Sequence, residues 1–235
     1  MKYSGTELEL LSNATRYINW IVDLLNPYLK GDCVEVGAGL GSIADTVITK
    51  SKVTSLYLVE PDTSMSDQLT KKYKYNDSVT INNGVLADLC QNKKEFDVIY
   101  YINVLEHINH DINEINTAYS LLKKGGYICI FVPAHQLLYS DFDKRIGHIK
   151  RYSKATLTNC FDLEKFNICK CHYLDVLGFF MYLISQRFLN IIPSTNMVVI
   201  FDKCVVPLTQ KLEKCFIKKE WIPFGKSLFL VAQKK

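Results

Sequence analysis

The chain has 235 residues, 48% hydrophobic and 22% charged, with a formal net charge of +4. This suits one domain, residues 1–235, with a sizeable core, and lysines scattered rather than striped argue against a nucleic-acid partner. No apolar run is long enough for a transmembrane segment, the start lacks the apolar segment of a signal peptide, and the eight cysteines match no zinc spacing; a cytoplasmic protein with mostly reduced, buried thiols is expected.

Residues 1–30 read as a helical lead, Leu8 to Leu29, with Tyr17, Ile18, Ile21, Leu24 and Leu25 on one face and Pro27 near its end. Cys33 to Val36 is a short strand that runs into Gly37-Ala38-Gly39-Leu40-Gly41, and a helical pattern follows from Ser42 to Lys50. Leu56 to Val59 is a second strand, ending in Glu60-Pro61. Thr63 to Tyr73 is a crossover helix, and Val79 to Ile81 a short strand leading into Asn82-Asn83-Gly84-Val85-Leu86. Phe96 to Ile102 reads as a strand buried on both faces. Asp111 to Leu122 is a helix that Lys123-Lys124-Gly125-Gly126 ends with a glycine cap. Tyr127 to Val132 is the fifth strand, stopped by Pro133, and Phe166 to Tyr173 and Ser227 to Ala232 are the last two. Such alternation predicts an α/β fold with a doubly wound, mostly parallel sheet.

The glycine turn and Glu60 point to a nucleoside-bearing cofactor. Glycines let backbone approach a ligand where a Cβ would clash, and a carboxylate ending the second strand can take both ribose hydroxyls. A dinucleotide turn needs G-x-G-x-x-G. Here the third glycine, Gly41, falls one place early, and Glu35 precedes the first by two. A carboxylate there repels a pyrophosphate and suits a cationic amino group. Glu35-Val36-Gly37-Ala38-Gly39-Leu40-Gly41 resembles the first motif of the class I S-adenosylmethionine (SAM)-dependent methyltransferases, [DE]-x-G-x-G-x-G. Phe96-Asp97-Val98-Ile99 is similar to that family's fourth motif, and Val104-Leu105-Glu106-His107 to a segment found after its fourth strand.

The resemblance implies a seven-stranded Rossmann-like sheet with helices on both faces, whose last two strands form an antiparallel edge. It implies SAM as cofactor and S-adenosylhomocysteine as product. Glu35, Gly37, Ala38, Gly39, Gly41, Glu60 and Pro61 would hold the cofactor, Asn103 would lie beside its methionine part, and Gly84, Val85 and Leu86 at its adenine edge. Many members carry Asp where this chain has Val85, which leaves Asp88 or a backbone carbonyl to meet the adenine amino group.

Residues 134–155 form a polar loop after the fifth strand, where open α/β sheets bind ligands. It resembles a subgroup with P-A…L-Y-S-x-[FL]-D…G-H-x-[RK]-R-Y, often found beside glycosyltransferases. Methyl transfer to a hydroxyl needs alignment of the two reactants and removal of a proton. Histidine suits the second task, so His148, His135 and His107 are the candidate bases. Tyr139, Asp141, Asp143, Arg151 and Tyr152 are candidate substrate contacts. Arg151 can bind an anionic group or pair with Asp143, and Tyr152 can serve as a packing aromatic. No Asp/Asp/Asn or His/carboxylate cluster stands out, so no metal is expected.

Residues 176–224 are an insertion before the last strand, rich in large apolar side chains, Phe180 among them, and followed by lysines. Three roles fit: a helical cap over the site with Phe180 against the substrate, a homodimer contact, or a peripheral membrane surface for a lipid-linked acceptor. The expected function is O-methylation of a sugar, glycan precursor or other small hydroxylated metabolite. The alternatives are N- or C-methylation of a natural-product or quinone-like acceptor, and a non-catalytic SAM-binding scaffold.

Overall fold

In the computed structural model, residues 13–188, 191, 194–217 and 222–235 are described. The first twelve residues, where the expected lead helix begins, lie outside them, as do parts of the insertion. Strand side chains alternate between faces, and here both faces are apolar. In β1 (Lys30–Val36) the last four residues are buried, and in β4 (Phe96–Ile102) the central Val98 to Tyr101 are buried too. Val34, Val36, Ile99 and Tyr101 pack into one core layer, and Cys33, Val98 and Tyr100 into the other. A sheet covered on both sides needs helices on both sides, and the crossover connections supply them.

The strand order is β3-β2-β1-β4-β5-β7-β6, with β2 at Lys52–Glu60, β3 at Val79–Asn83, β5 at Leu122–Pro133, β6 at Phe166–Leu174 and β7 at Ser227–Lys234. All neighbouring pairs are parallel except those of β7, which runs antiparallel to β5 and β6. The order reverses between β1 and β4, and a crevice opens beyond their carboxyl ends at such a switch point. The expected seven-stranded, mostly parallel sheet with an antiparallel edge is therefore present.

The helices named below are α1 (Thr15–Leu25), α2 (Ser42–Lys50), α3 (Thr63–Lys72), α4 (Asp111–Leu121), α5 (Asp141–Arg145), α6 (Lys154–Thr158), α7 (Val176–Tyr182), α8 (Thr195–Ile200) and α9 (Val206–Ile217). Helix α1 buries Tyr17, Ile18, Ile21, Val22 and Leu25, the stripe that 3.6-residue spacing dictates. One local expectation fails. Helix α4 ends at Leu121 and passes directly into extended backbone at Leu122. Gly125, with φ +76°, instead sits in an irregularity of the β4–β5 pairing, where Phe96 faces Leu122 and Val98 faces Tyr127. The glycine takes up extra strand residues rather than ending the helix.

Candidate functional site

The turn after β1 is built from three glycines with positive φ: Gly37 (+71°), Gly39 (+55°) and Gly41 (+75°). Their roles differ. Gly37 and Gly39 form part of the wall of a cavity of about 890 Å³. A Cβ on Gly37 would lie 2.5 Å from Val104 Cγ2, so this glycine also lets the turn sit against the end of β4. Gly41 faces the other way. A Cβ there would meet Leu69 and the Tyr73 hydroxyl at 2.9 Å, so Gly41 is needed for close packing of α2 on α3 and lies off the cavity wall. Ala38 and Glu35 lie behind the turn, beside a smaller cavity of about 110 Å³ that Asn103 shares with the larger one. Glu35 is buried and accepts a hydrogen bond from Tyr100 Oη at 2.9 Å. Burial pushes its carboxyl up to about 8.

Glu60 is buried at the end of β2 on the wall of the larger cavity. Its Oε2 accepts from Gly39 N–H at 2.8 Å and its Oε1 from Asp62 N–H at 2.9 Å. Each oxygen keeps a second lone pair, so the carboxylate both fixes the turn and can accept from a ligand. Pro61, Gly84, Val85 and Leu86 continue this wall. Asp88 is spoken for: its Oδ2 accepts from Val85 N–H at 2.8 Å and closes the turn, and it does not line the cavity. Asn103 has φ +54° and donates its N–H to Phe131 O at 2.8 Å.

The polar loop returns on itself. His135 N–H donates to Tyr152 O and Tyr152 N–H to Pro133 O, so both ends are pinned to the end of β5. Its centre is Asp143, which is fully buried. Asp143 accepts from His148 Nδ1 at 2.8 Å, Arg151 Nε at 2.9 Å, Tyr182 Oη at 2.8 Å and Ser140 N–H at 2.9 Å. Burial alone would raise its carboxyl; the His148 hydrogen bond and the Arg151 charge outweigh that and hold it well below the usual range. Asp143 is therefore an anchor rather than a substrate contact. Arg151 lines the cavity, but its guanidinium is committed to Asp143 and stacked over Tyr182.

Of the three candidate bases, two reach the cavity. His148 and His107 line it, with ring centroids 4.8 Å apart and nearly perpendicular. His148 Nε2 lies 3.6 Å from Glu106 Oε1, and His107 Nδ1 lies 3.0 Å from Gly147 O. Burial, then the neighbouring His148, pull His107 down to about 4. Glu106 is fully buried, neither of its oxygens has a hydrogen-bond partner on another side chain among the described residues, and burial raises its carboxyl to about 8. Glu106, His107 and His148 each offer a donor atom within 4.8 Å of the other two. The expectation that no His/carboxylate cluster exists is thus corrected, because the loop carries His148 back onto the Glu106-His107 pair from 41 residues away.

His135 is not in the site. It stacks on Tyr173 at 4.3 Å and meets the edge of Phe179, away from the cavity. Tyr139 donates to His148 O at 2.7 Å and braces the loop. Asp141 is exposed and pairs with Lys144. Tyr152 is buried, donating to Asp111 Oδ2 at 2.9 Å and Leu105 O at 3.1 Å. Phe180 is 47% exposed and packs on Phe179 and Phe224 instead of the cavity. The insertion reaches the cavity through other residues: Met181, Tyr182 and Gln186 from the first helical segment, then Met197, Val198 and Phe201. Lys226 and Tyr17 complete that side. Sequence reading missed these. Met181 and Tyr182 adjoin Phe180, but which face of α7 turns inward depends on where the chain leaves β6.

Residues 11–169 match the model of a family described as a methyltransferase domain. No curated protein matches the chain. Among solved structures, a SAM-dependent methyltransferase from Archaeoglobus fulgidus is 16% identical, with a TM-score of 0.60 over 94% of each chain. Haemonchus contortus phosphoethanolamine N-methyltransferase 2, solved with phosphomonomethylethanolamine and S-adenosylhomocysteine, is 16% identical with a TM-score of 0.63, covering 98% of this chain and 57% of that one. A chain from the complex of the Haloferax volcanii Trm112 methyltransferase activator with a methyltransferase is 14% identical, TM-score 0.63, covering 93% and 89%. At these identities the likeness is one of fold. With 1129 solved chains matching, the fold does not select an acceptor.

Proposed function

This chain belongs to the methyltransferase-domain family, and we propose that it moves the methyl group of SAM to a hydroxyl oxygen of a sugar or similar small metabolite. Gly37, Gly39, Pro61 and the Gly84–Leu86 turn cradle the nucleoside, Glu60 takes the ribose hydroxyls, and Asn103 adjoins the methionine part. Glu35 acts from behind the turn, where an ammonium group entering the smaller cavity would favour its ionised form. The acceptor oxygen attacks the methyl carbon. The carbon–sulfur bond breaks, its electron pair stays on sulfur to give S-adenosylhomocysteine, and the hydroxyl proton passes to the histidine–carboxylate cluster. The atom that receives it is His148 Nε2, because Nδ1 is held by Asp143, which also stabilises the imidazolium that forms. Residues 176–224 serve as the cap that excludes water.

The observation that carries this reading is a single cavity with the glycine turn and Glu60 on one wall and His148 on another. The test is His148→Ala. The rate should fall by about 10²–10⁴-fold, the usual worth of a positioned base, with SAM affinity in calorimetry unchanged. A near-normal rate over a panel of hydroxylated acceptors would remove His148 from the mechanism. SAM binding without turnover on any acceptor would favour the scaffold alternative.

A further inference from the structure

Glu106 presents an unusual combination. It is 0% exposed, neither carboxylate oxygen has a hydrogen-bond partner on another side chain among the described residues, and His148 Nε2 lies 3.6 Å from Oε1. Neighbouring carboxylates do better: Asp143 accepts from Ser140, His148, Arg151 and Tyr182, and Asp111 from Lys150 and Tyr152. A buried carboxylate with no donor is expensive unless something positive joins it. The two histidines beside it are both oriented through Nδ1. Gly147 O can only accept, so His107 carries its proton on Nδ1, and the Asp143 carboxylate, paired with the Arg151 guanidinium, does the same for His148. In the neutral rings this leaves the Nε2 lone pairs free. An imidazole whose far nitrogen donates to a carboxylate or carbonyl is the arrangement that orients histidine ligands on a metal.

We propose that Glu106, His107 and His148 bind one divalent transition-metal cation, with an open position facing the cavity. One donor atom from each lies within 4.8 Å of the other two. Bonds of about 2.1 Å to a tetrahedral ion hold donors roughly 3.4 Å apart, so the 3.6 Å pair is nearly in place and the third donor closes by rotation about the side-chain bonds. Two imidazoles and one carboxylate favour Zn²⁺, Co²⁺ or Fe²⁺ over Mg²⁺, which takes oxygen ligands and keeps its waters. His107 and His148 line the cavity while Glu106 lies behind them, so the fourth position opens toward the acceptor. The inference rests on the methyltransferase reading only for what occupies that position. There an acceptor hydroxyl would replace water, and the cation would lower its pKa and offset the charge that grows on oxygen. With the cation bound, His148 Nε2 is a ligand in place of the base assigned above, and the acceptor's proton passes to the water it displaces from the cation.

The test uses the untagged full-length chain, stripped with a chelator and titrated with Co²⁺ while its visible spectrum is followed. One Co²⁺ per chain should bind at micromolar concentration or below with the strong absorption of a low-coordinate site. Zn²⁺ should abolish that spectrum, and millimolar Mg²⁺ should leave it. Glu106→Gln, which keeps the shape of the side chain, and His148→Ala should each weaken Co²⁺ by about 100-fold or more. SAM calorimetry on the same preparations reports folding and the cofactor site separately. Chain that binds SAM yet gives no Co²⁺ spectrum overturns the cation site, as does unchanged Co²⁺ affinity in both variants. Loss of SAM binding with the Co²⁺ spectrum intact would support the cation site and count against the methyltransferase reading alone.

Discussion

Glu60 shows how one side chain serves the fold and the ligand at once. Its two accepted backbone N–H groups tie the glycine turn to the start of α3, so the carboxylate is aimed before any ribose arrives. Glu60→Gln keeps an amide oxygen for one of those donors and removes the charge. SAM affinity should fall about tenfold, the scale of one charge-assisted hydrogen bond, with circular dichroism unchanged; equal affinity would cancel the ribose assignment. Glu35 carries the opposite cost. Its folded-state carboxyl sits near 8, raised chiefly by burial and also by Asp45 and Glu60, against lowering by Tyr100 and Lys72. Below pH 4.5 both folded and unfolded forms hold the proton. Between there and about 8 the unfolded chain loses it first, so stability falls as pH rises, by up to about 1.4 kcal/mol per unit. Glu35→Gln can still accept from Tyr100 and does not titrate. In urea denaturation it should be more stable than the parent at pH 8, on the order of a few kcal/mol, with the advantage gone near pH 4.5. An advantage independent of pH would show that Glu35 is ionised in the fold.

At the scale of elements, the strands and the turn were legible because their causes are local. Alternating burial, three glycines in left-handed backbone and an acid closing the next strand are written within about thirty residues. The loop after β5 was legible as a place but not as an arrangement. Nothing in sequence separates His135 from His148, yet one stacks on Tyr173 and the other faces the cavity. The difference arises because Asp143 gathers donors from separate segments, including Tyr182 from α7. Gly41 was misread for a related reason, since the residues that demand it, Leu69 and Tyr73, lie at the far end of the next crossover. The Tyr182 hydroxyl is therefore the bond that fastens the insertion to the loop. Tyr182→Phe keeps the ring over Arg151 and removes that bond. Acceptor KM should rise several-fold while SAM affinity holds, and a matching loss of SAM affinity would place Tyr182 on the cofactor side instead.

Across the whole molecule, the insertion is joined to the sheet domain by more than apolar contact. Asp202, buried at the start of the segment leading into α9, accepts from Arg16 N–H at 3.2 Å and Tyr17 N–H at 2.8 Å. These are among the first N–H groups of α1, which have no partner within their own helix. A residue from the insertion thus caps a helix 186 residues earlier, and Phe201 beside it meets the Tyr17 ring at 5.7 Å. Tyr17 and Phe201 both line the cavity, so the same seam closes one side of the site. No helix among the described residues is long and apolar enough to cross a membrane, and the insertion's inner apolar residues are spent on this cavity. If the insertion moves as ligands enter and leave, loosening this seam should free it, since locally weak contacts set which segment opens. Asp202→Ala removes a helix cap worth about 1–2 kcal/mol. Hydrogen exchange should speed up in two places at once, the first turn of α1 and residues 195–217, while β1, β4 and β5 keep their protection. Saturating SAM should slow both again, because a ligand that binds only the closed form stabilises it by mass action. If α1 alone loosened and residues 195–217 exchanged as before, the insertion would be held independently of this seam, and the entrance to the cavity would have to be sought at the loop around Asp143.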